Sequence, residues 1–370
     1  PDTSWSLYVS PDEIDYGLTY RLIEPGYESW NHLGIWQRDL GSFRERLVAG
    51  NRYTGKACLN CHTFNPDGRG DMIFHVRGKN GGTIFSLSGE TARKDLSKTG
   101  VQRQGTYPAW HPGGRFVVFS SNRTKQHFLI SSSQPIEVYD TASDIIIMDL
   151  ESGDVKALVE DDGFIDGIGF CSEDGSRIFL TGSPEALGRI GCTLPDGVIP
   201  SPYDHRLFLM DTRNGEVTAV RKDFKPSIEE VLYNSKENCL YLKVEDKDCL
   251  AVYRYSLGNG SMTKLNCGED YVTSIDTPQN GKGIVYGGQS LCNAHRAYSL
   301  EGGKRTLLRD FSAERLAGIE TGEGGAYEFI SSRGDLINSF YSFNEEFYVH
   351  FVNHFFELQF FFLLPVNQFF

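Results

Sequence analysis

A short polar turn followed by an apolar run recurs six times along this chain. The turns are NPDG at Asn65, HPGG at His111, SEDG at Ser172, NSKEN at Asn234, PQNG at Pro278 and GEGG at Gly322. The runs after them are MIFHV, RFVVFS, RIFLTG, CLYLKV, GIVYGG and YEFISS. Each run reads as a strand that its turn joins to the strand before. A second pattern follows in five of the units: strand, Gly-containing tip, strand. It is written GGTIFSLSGETARKDL, DIIIMDLESGDVKAL, RLFLMDTRNGEVTAV, AVYRYSLGNGSMTKL and RAYSLEGGKRTLL. Ser-Gly, Asn-Gly and Gly-Gly supply the positive φ that a tight hairpin tip needs. Two hairpins make four antiparallel strands per unit.

Residues 66, 112, 173, 235, 279 and 323 mark equivalent turn positions, spaced by 46, 61, 62, 44 and 44. A four-stranded unit with a period near 44 is the signature of a propeller blade. The expected fold is an all-β, six-bladed β-propeller over 51–370. Its blades fall near 57–98, 105–160, 164–221, 227–266, 271–309 and 316–365. Residues 1–50 lie outside the repeat and read as an irregular, short-helical segment packed on the propeller. Tyr20, Tyr27, Trp30 and Trp36 are its packing anchors. The two wide spacings come from extra residues between the second and third strands, at 121–143 and 183–205. Equivalent insertions emerge on one face, so these two loops are the expected contact surface for a protein partner. From Tyr341 onward, ten of thirty residues are Phe and turn chemistry is sparse, so the sixth unit is the least regular.

Composition narrows the function. The net charge is −13, which opposes sequence-independent nucleic-acid binding. No run of 18 apolar residues exists, so no transmembrane span is expected. Of eight Cys, only Cys58 and Cys61 have a meaningful spacing. The other six read as small buried hydrophobes.

Those two cysteines belong to CLNCH, residues 58–62. The order C-x-x-C-H suits covalent haem c: two thiols add to the vinyl groups and His62 ligates the iron. His75, Met72 or His111 could supply a second axial ligand. Three other readings stand beside it. One is a Cys58–Cys61 disulfide. Another is a zinc site of Cys58, Cys61, His62 and a further His. The third is two buried thiols and a hydrogen-bonded His, with His75 a core histidine and His111 a residue of the repeat's own turn. On a regular strand Cys58 and Cys61 face opposite sides, so haem attachment requires an irregular or helical turn at 57–62. The acidic run EDDGFIDG at 160–167 lacks calcium-loop spacing and reads as a solvated connection. GKNGG at 78–82 is not a phosphate loop, no G-x-S-x-G occurs, and no nucleophile–base pair is evident.

The stretches YRLIEPGYESWNHLGIWQRDL, CLNCHTF, MIFHVRGKNGGT, YPAWHPGGRFVVFSSN, IEVYDTASDIIIMDL, ISSRGD and FLLPVN resemble a family of Gram-negative bacterial TolB-like propeller proteins. Many members of that family are labelled cytochrome c biosynthesis proteins. The resemblance implies a six-bladed propeller that is exported and often lipid-anchored, in the periplasm or at the outer membrane. It implies no settled activity. The chain departs from the pattern between SSRGD and FLLP, where a Tyr-Pro-Tyr-like hairpin is expected. The functional expectation is a non-enzymatic cell-envelope propeller that binds a protein or polymer on its loop-bearing face. The alternative is a haem c electron-transfer protein. A hydrolase with its site in the channel has no motif in its favour.

Overall fold

A computed structural model describes residues 17–22, 33–42, 44–65, 70–77, 81–94, 96, 105–127, 137–159, 165–182, 204–278, 281–319, 321–334, 336–343, 347–352 and 362–365. Strands dominate them. The first three, β1 (Gly17–Leu22), β2 (Gly34–Asp39) and β3 (Glu45–Gly50), form an antiparallel sheet ahead of the repeat. This corrects the short-helical expectation for the described part of 1–50; Tyr27 and Trp30 lie outside the described residues. Leu33 and Ile35 are buried two residues apart, which is strand periodicity, and Thr19, Tyr20, Trp36 and Val48 favour a pleated surface. Leu33 and Ile35 pack against Leu59, Met72, Phe74 and Val76 of the first repeat unit.

The repeat folds as antiparallel meanders. Unit one comprises β4 (Leu59–Phe64), β5 (Met72–Val76), β6 (Gly82–Leu87) and β7 (Glu90–Lys94). Unit two holds β8 (Thr106–Trp110), β9 (Phe116–His127), β10 (Glu137–Asp149) and β11 (Val155–Val159). Unit three holds β12 (Ile165–Phe170), β13 (Arg177–Gly182), β14 (Arg206–Asp211) and β15 (Val217–Ala219). Next come β16 (Ser227–Asn234), β17 (Cys239–Asp246), β18 (Cys249–Ser256) and β19 (Met262–Lys264), then β20 (Tyr271–Asp276), β21 (Ile284–Ser290), β22 (Asn293–Glu301) and β23 (Lys304–Asp310). These two units share one eight-stranded sheet, because β18 and β20 pair in parallel through Leu250 and Tyr271. The last unit is β24 (Glu323–Ile330), β25 (Leu336–Phe343), β26 (Phe347–Val352) and β27 (Phe362–Pro365).

The arrangement is propeller-like. First strands follow one another in space, with β4 against β8, β8 against β12 and β12 against β16. Apolar clusters fill the seams between successive sheets. Ile73, Phe85, Trp110 and Phe119 join units one and two, while Val118, Ile145, Ile178 and Leu180 join two and three. Phe179, between Ile178 and Leu180, faces the other way and packs with Ile228 and Leu242 of unit four. Strands buried on both faces explain why these runs read as continuous apolar sequence rather than as alternation.

A polar contact accompanies several seams. A first-turn residue of one unit reaches the turn glycine of the next. The Asn65 amide lies against Gly114, and Asn234 Nδ2 donates to Thr277 Oγ1 at 2.6 Å and to the Gly281 carbonyl at 3.2 Å. His111 Nε2 donates to the Asp174 carbonyl at 3.1 Å, beside Gly175.

The insertion at 121–143 is not simply a loop. Residues 121–127 and 137–143 extend the β9–β10 hairpin, with Glu137 opposite His127. Residues 128–136 and most of the second insertion, 183–203, lie outside the described residues, as do 160–164 of the acidic run.

Candidate functional site

The first strands of five units carry a bulge at an equivalent place. In β4, Cys61 and His62 together oppose Phe74; in β8, Tyr107 and Pro108 oppose Phe119. One extra residue also interrupts β12 near Asp166, β16 at Glu229 and β20 at Thr273. β24 pairs without interruption. Bulges turn side chains out of the regular alternation and recur near functional sites. These lie at the end of the sheets from which the β9–β10 extension and the second insertion leave.

The C-x-x-C-H segment is the bulge of unit one. Leu59 and Asn60 remain in the ladder opposite Val76 and His75. The path from Cys58 to Cys61 is therefore extended, about 10 Å between Cα atoms at strand rise. A disulfide requires less than about 7 Å, so it does not form here without backbone movement. Cys58 packs on the apolar cluster shared with the N-terminal sheet. Cys61 has φ +55°, and its sulfur accepts the backbone N–H of Tyr107 from unit two. Burial pushes both thiols up, and the Arg77 and Arg21 guanidiniums partly offset this. Both sulfurs are therefore protonated and weakly nucleophilic at neutral pH.

Haem c needs both thiols on one ring edge with His62 over the metal. The thiols here serve different neighbours along an extended strand, and the His62 ring stands edge-on to Phe64. The residues as placed do not fit the group. The axial candidates do not converge either. Met72 is buried in the cluster with Leu59 and Phe74. His75 is buried between Asn60 and Thr83 of the flanking strands. His111 uses both ring nitrogens, since Nδ1 accepts the Gly113 N–H at 2.8 Å while Nε2 bonds the Asp174 carbonyl. Among the described residues no three His, Cys, Asp or Glu side chains gather around a metal position. The described cysteines are free thiols.

A second group at the bulged end was not read from sequence. Lys243, with its side chain 13% exposed, places Nζ 3.0 Å from Glu229 and 3.9 Å from Glu230. It also donates to the Thr273 carbonyl at 3.3 Å. Thr273 Oγ1 lies 2.9 Å from His295 Nε2. Burial, then a hydrogen bond to Glu229, pushes the Glu245 carboxyl up; burial also raises Glu230, against the pull of Lys243. Two bulge residues from adjoining units, Glu229 and Thr273, thus meet on one ammonium. The only sequence signal was Glu229-Glu230 interrupting an apolar strand, because the partners lie up to 66 residues away (229 to 295).

No protein-family model matches the chain, and no curated protein matches it. Solved structures do. An acylaminoacyl peptidase in complex with Z-Gly-Gly-Phe-chloromethyl ketone aligns over 88% of this chain and 48% of its own, with 14% identity and TM-score 0.54. A puromycin hydrolase complexed with PGG aligns over 84% and 46%, with 13% identity and TM-score 0.56. An oligogalacturonate lyase in complex with manganese aligns over 84% and 79%, with 12% identity and TM-score 0.52. At such identities the likeness shows the fold alone. The chain spans about half the length of the peptidase and the puromycin hydrolase.

These matches correct the functional expectation. The three structures named are enzymes, so the expectation of a non-enzymatic scaffold, with its electron-carrier alternative, is not retained.

Proposed function

We propose that this chain is the propeller of an enzyme that acts on peptide-like substrates, and that it supplies substrate binding. The carrying observation is the asymmetry of the alignments: most of this chain corresponds to about half of a peptidase and of a puromycin hydrolase. In this reading the six meanders close into a six-bladed propeller. Its substrate-facing end is the bulged one, where Lys243, Glu229, Glu230, Glu245 and His295 present both signs of charge to a zwitterionic ligand. No nucleophile–base pair is assigned within the described residues, so bond cleavage is not attributed to them. The net charge of −13 disfavours a polyanionic saccharide relative to a peptide. An envelope location accompanies this reading, and fractionation of the native host tests it.

The test is calorimetric titration of the purified protein with N-acylated and free tripeptides and, separately, with oligogalacturonate. Tripeptide binding that weakens at least tenfold in Lys243→Met supports the proposal. Uronate binding without tripeptide binding refutes it.

A further inference from the structure

We infer that Cys58-Leu59-Asn60-Cys61-His62 is not a cofactor-attachment sequence in this chain, but the bulged first rung of the repeat. Its Cys61 sulfur ties unit one to unit two through the Tyr107 N–H.

Three independent observations converge. The first is register. Tyr107 lies 46 residues after Cys61 (107 − 61), the same interval that separates the first two turns (112 − 66). Cys61 and Tyr107 are therefore equivalent positions of successive units. The second is backbone conformation. Both residues are non-glycine and left-handed, with φ +55° and +48°, and both open a two-residue bulge opposite a Phe, Phe74 or Phe119. Such backbones cost energy and persist only where their surroundings hold them. A bulge that recurs in unit two, which has no cysteine, and at cysteine-free positions in units three to five is set by the sheet and needs no cofactor to explain it. The irregular turn that haem attachment would require is present, but it is common property of the repeat.

The third observation is where the side chains go. The backbone N–H of a bulged residue is lost to its own ladder. At Tyr107 that donor is turned toward unit one and finds the Cys61 sulfur. Thr83 Oγ1 of unit one accepts the Gly105 N–H at 3.0 Å and donates to the Gly105 carbonyl, so the same seam is stitched twice. Cys58 turns instead into the cluster of Leu33, Ile35, Leu59 and Phe74. The two thiols thus have separate structural duties, one in the apolar cluster and one at the seam with unit two.

The experiment has two arms. The chain is exported in a host that attaches haem c, then examined by intact mass and pyridine haemochrome spectrum. The expected result is the unmodified mass and no haem band. A covalent haem that is lost in Cys58→Ala overturns the inference. The second arm reads amide hydrogen exchange at Tyr107, a local signal that global stability does not mimic. Cys61→Ala should speed exchange there at least tenfold, while Cys61→Ser, whose hydroxyl still accepts the N–H, should retain most protection. Protection unchanged in Cys61→Ala, with the protein folded, overturns the tie between units. If Cys61→Ala fails to fold, Cys61→Ser decides: its Tyr107 exchange must stay within about threefold of wild type.

Discussion

Gly175→Ala is the substitution that most directly tests how the units are locked together. Gly175 sits in the turn of unit three with φ +69°, and a Cβ built there overlaps the His111 imidazole of unit two. Two costs add. A left-handed alanine costs about 1–2 kcal/mol. Displacing the ring breaks the His111–Asp174 hydrogen bond, a further roughly 0.5–1.5 kcal/mol. It also disturbs the edge-on stack of His111 on Phe170, whose centroids are 5.3 Å apart. That stack adds about 0.5–1 kcal/mol. The sum is about 2–4.5 kcal/mol. Gly153→Ala is the control: its φ is +74°, yet nothing lies within 4 Å of the added methyl. It should cost only the backbone share, about 1–2 kcal/mol. Urea titration of both variants, read by intrinsic fluorescence, gives the comparison. In the background of His111→Ala the Gly175→Ala cost should shrink to that of Gly153→Ala. Equal losses at 175 and 153 in the wild-type background would refute the clamp.

Other expectations follow from the charged groups and thiols. Lys243→Met leaves Glu229 and Glu230 without their shared cation and should destabilise by about 1–2 kcal/mol at neutral pH, measured by the same titration. Glu230 has a folded pKa above the ordinary glutamate value, first because of burial. Its ionisation therefore opposes folding, and stability falls as pH rises from about 4.5 through the raised value. Glu230→Gln should be more stable than wild type near pH 7, and the difference should vanish near pH 4 in a pH series of melting curves. Burial pushes the Cys171 thiol up to about 12 and that of Cys267 to about 11. Iodoacetamide at pH 7.5 should leave both unlabelled in the native protein while labelling both in urea, as peptide mass mapping would show.

The strands of the repeat were legible because Asn-Gly, Ser-Gly and Asp-Gly punctuate them at intervals that only hairpins use. The bulges were not, since one extra residue leaves the apolar pattern of CLNCHTF or IEEVLYN almost intact while reversing what the flanking side chains face. The N-terminal strands were misread because β1 buries so little of itself that its alternation is faint. The β9–β10 extension reads as a loop in the sequence because a hairpin longer than the repeat resembles an insertion. The Lys243 cluster was hidden for a different reason: its members come from four strands of two units, β16, β17, β20 and β22, and meet only where those units adjoin. The chemistry suggested by C-x-x-C-H was the reverse case, a pattern visible in sequence whose thiols the fold sends to different neighbours.

The parallel pairing of β18 with β20 has an architectural consequence. Units four and five share one sheet through the Leu250–Tyr271 bridge, whereas the seams from unit one to unit four join separate sheets by side-chain packing and a few hydrogen bonds. The junction of units four and five therefore passes through the main chain itself. A continuous hydrogen-bonded sheet across two repeat units means that the repeat is not a string of six separate sheets: units four and five share one.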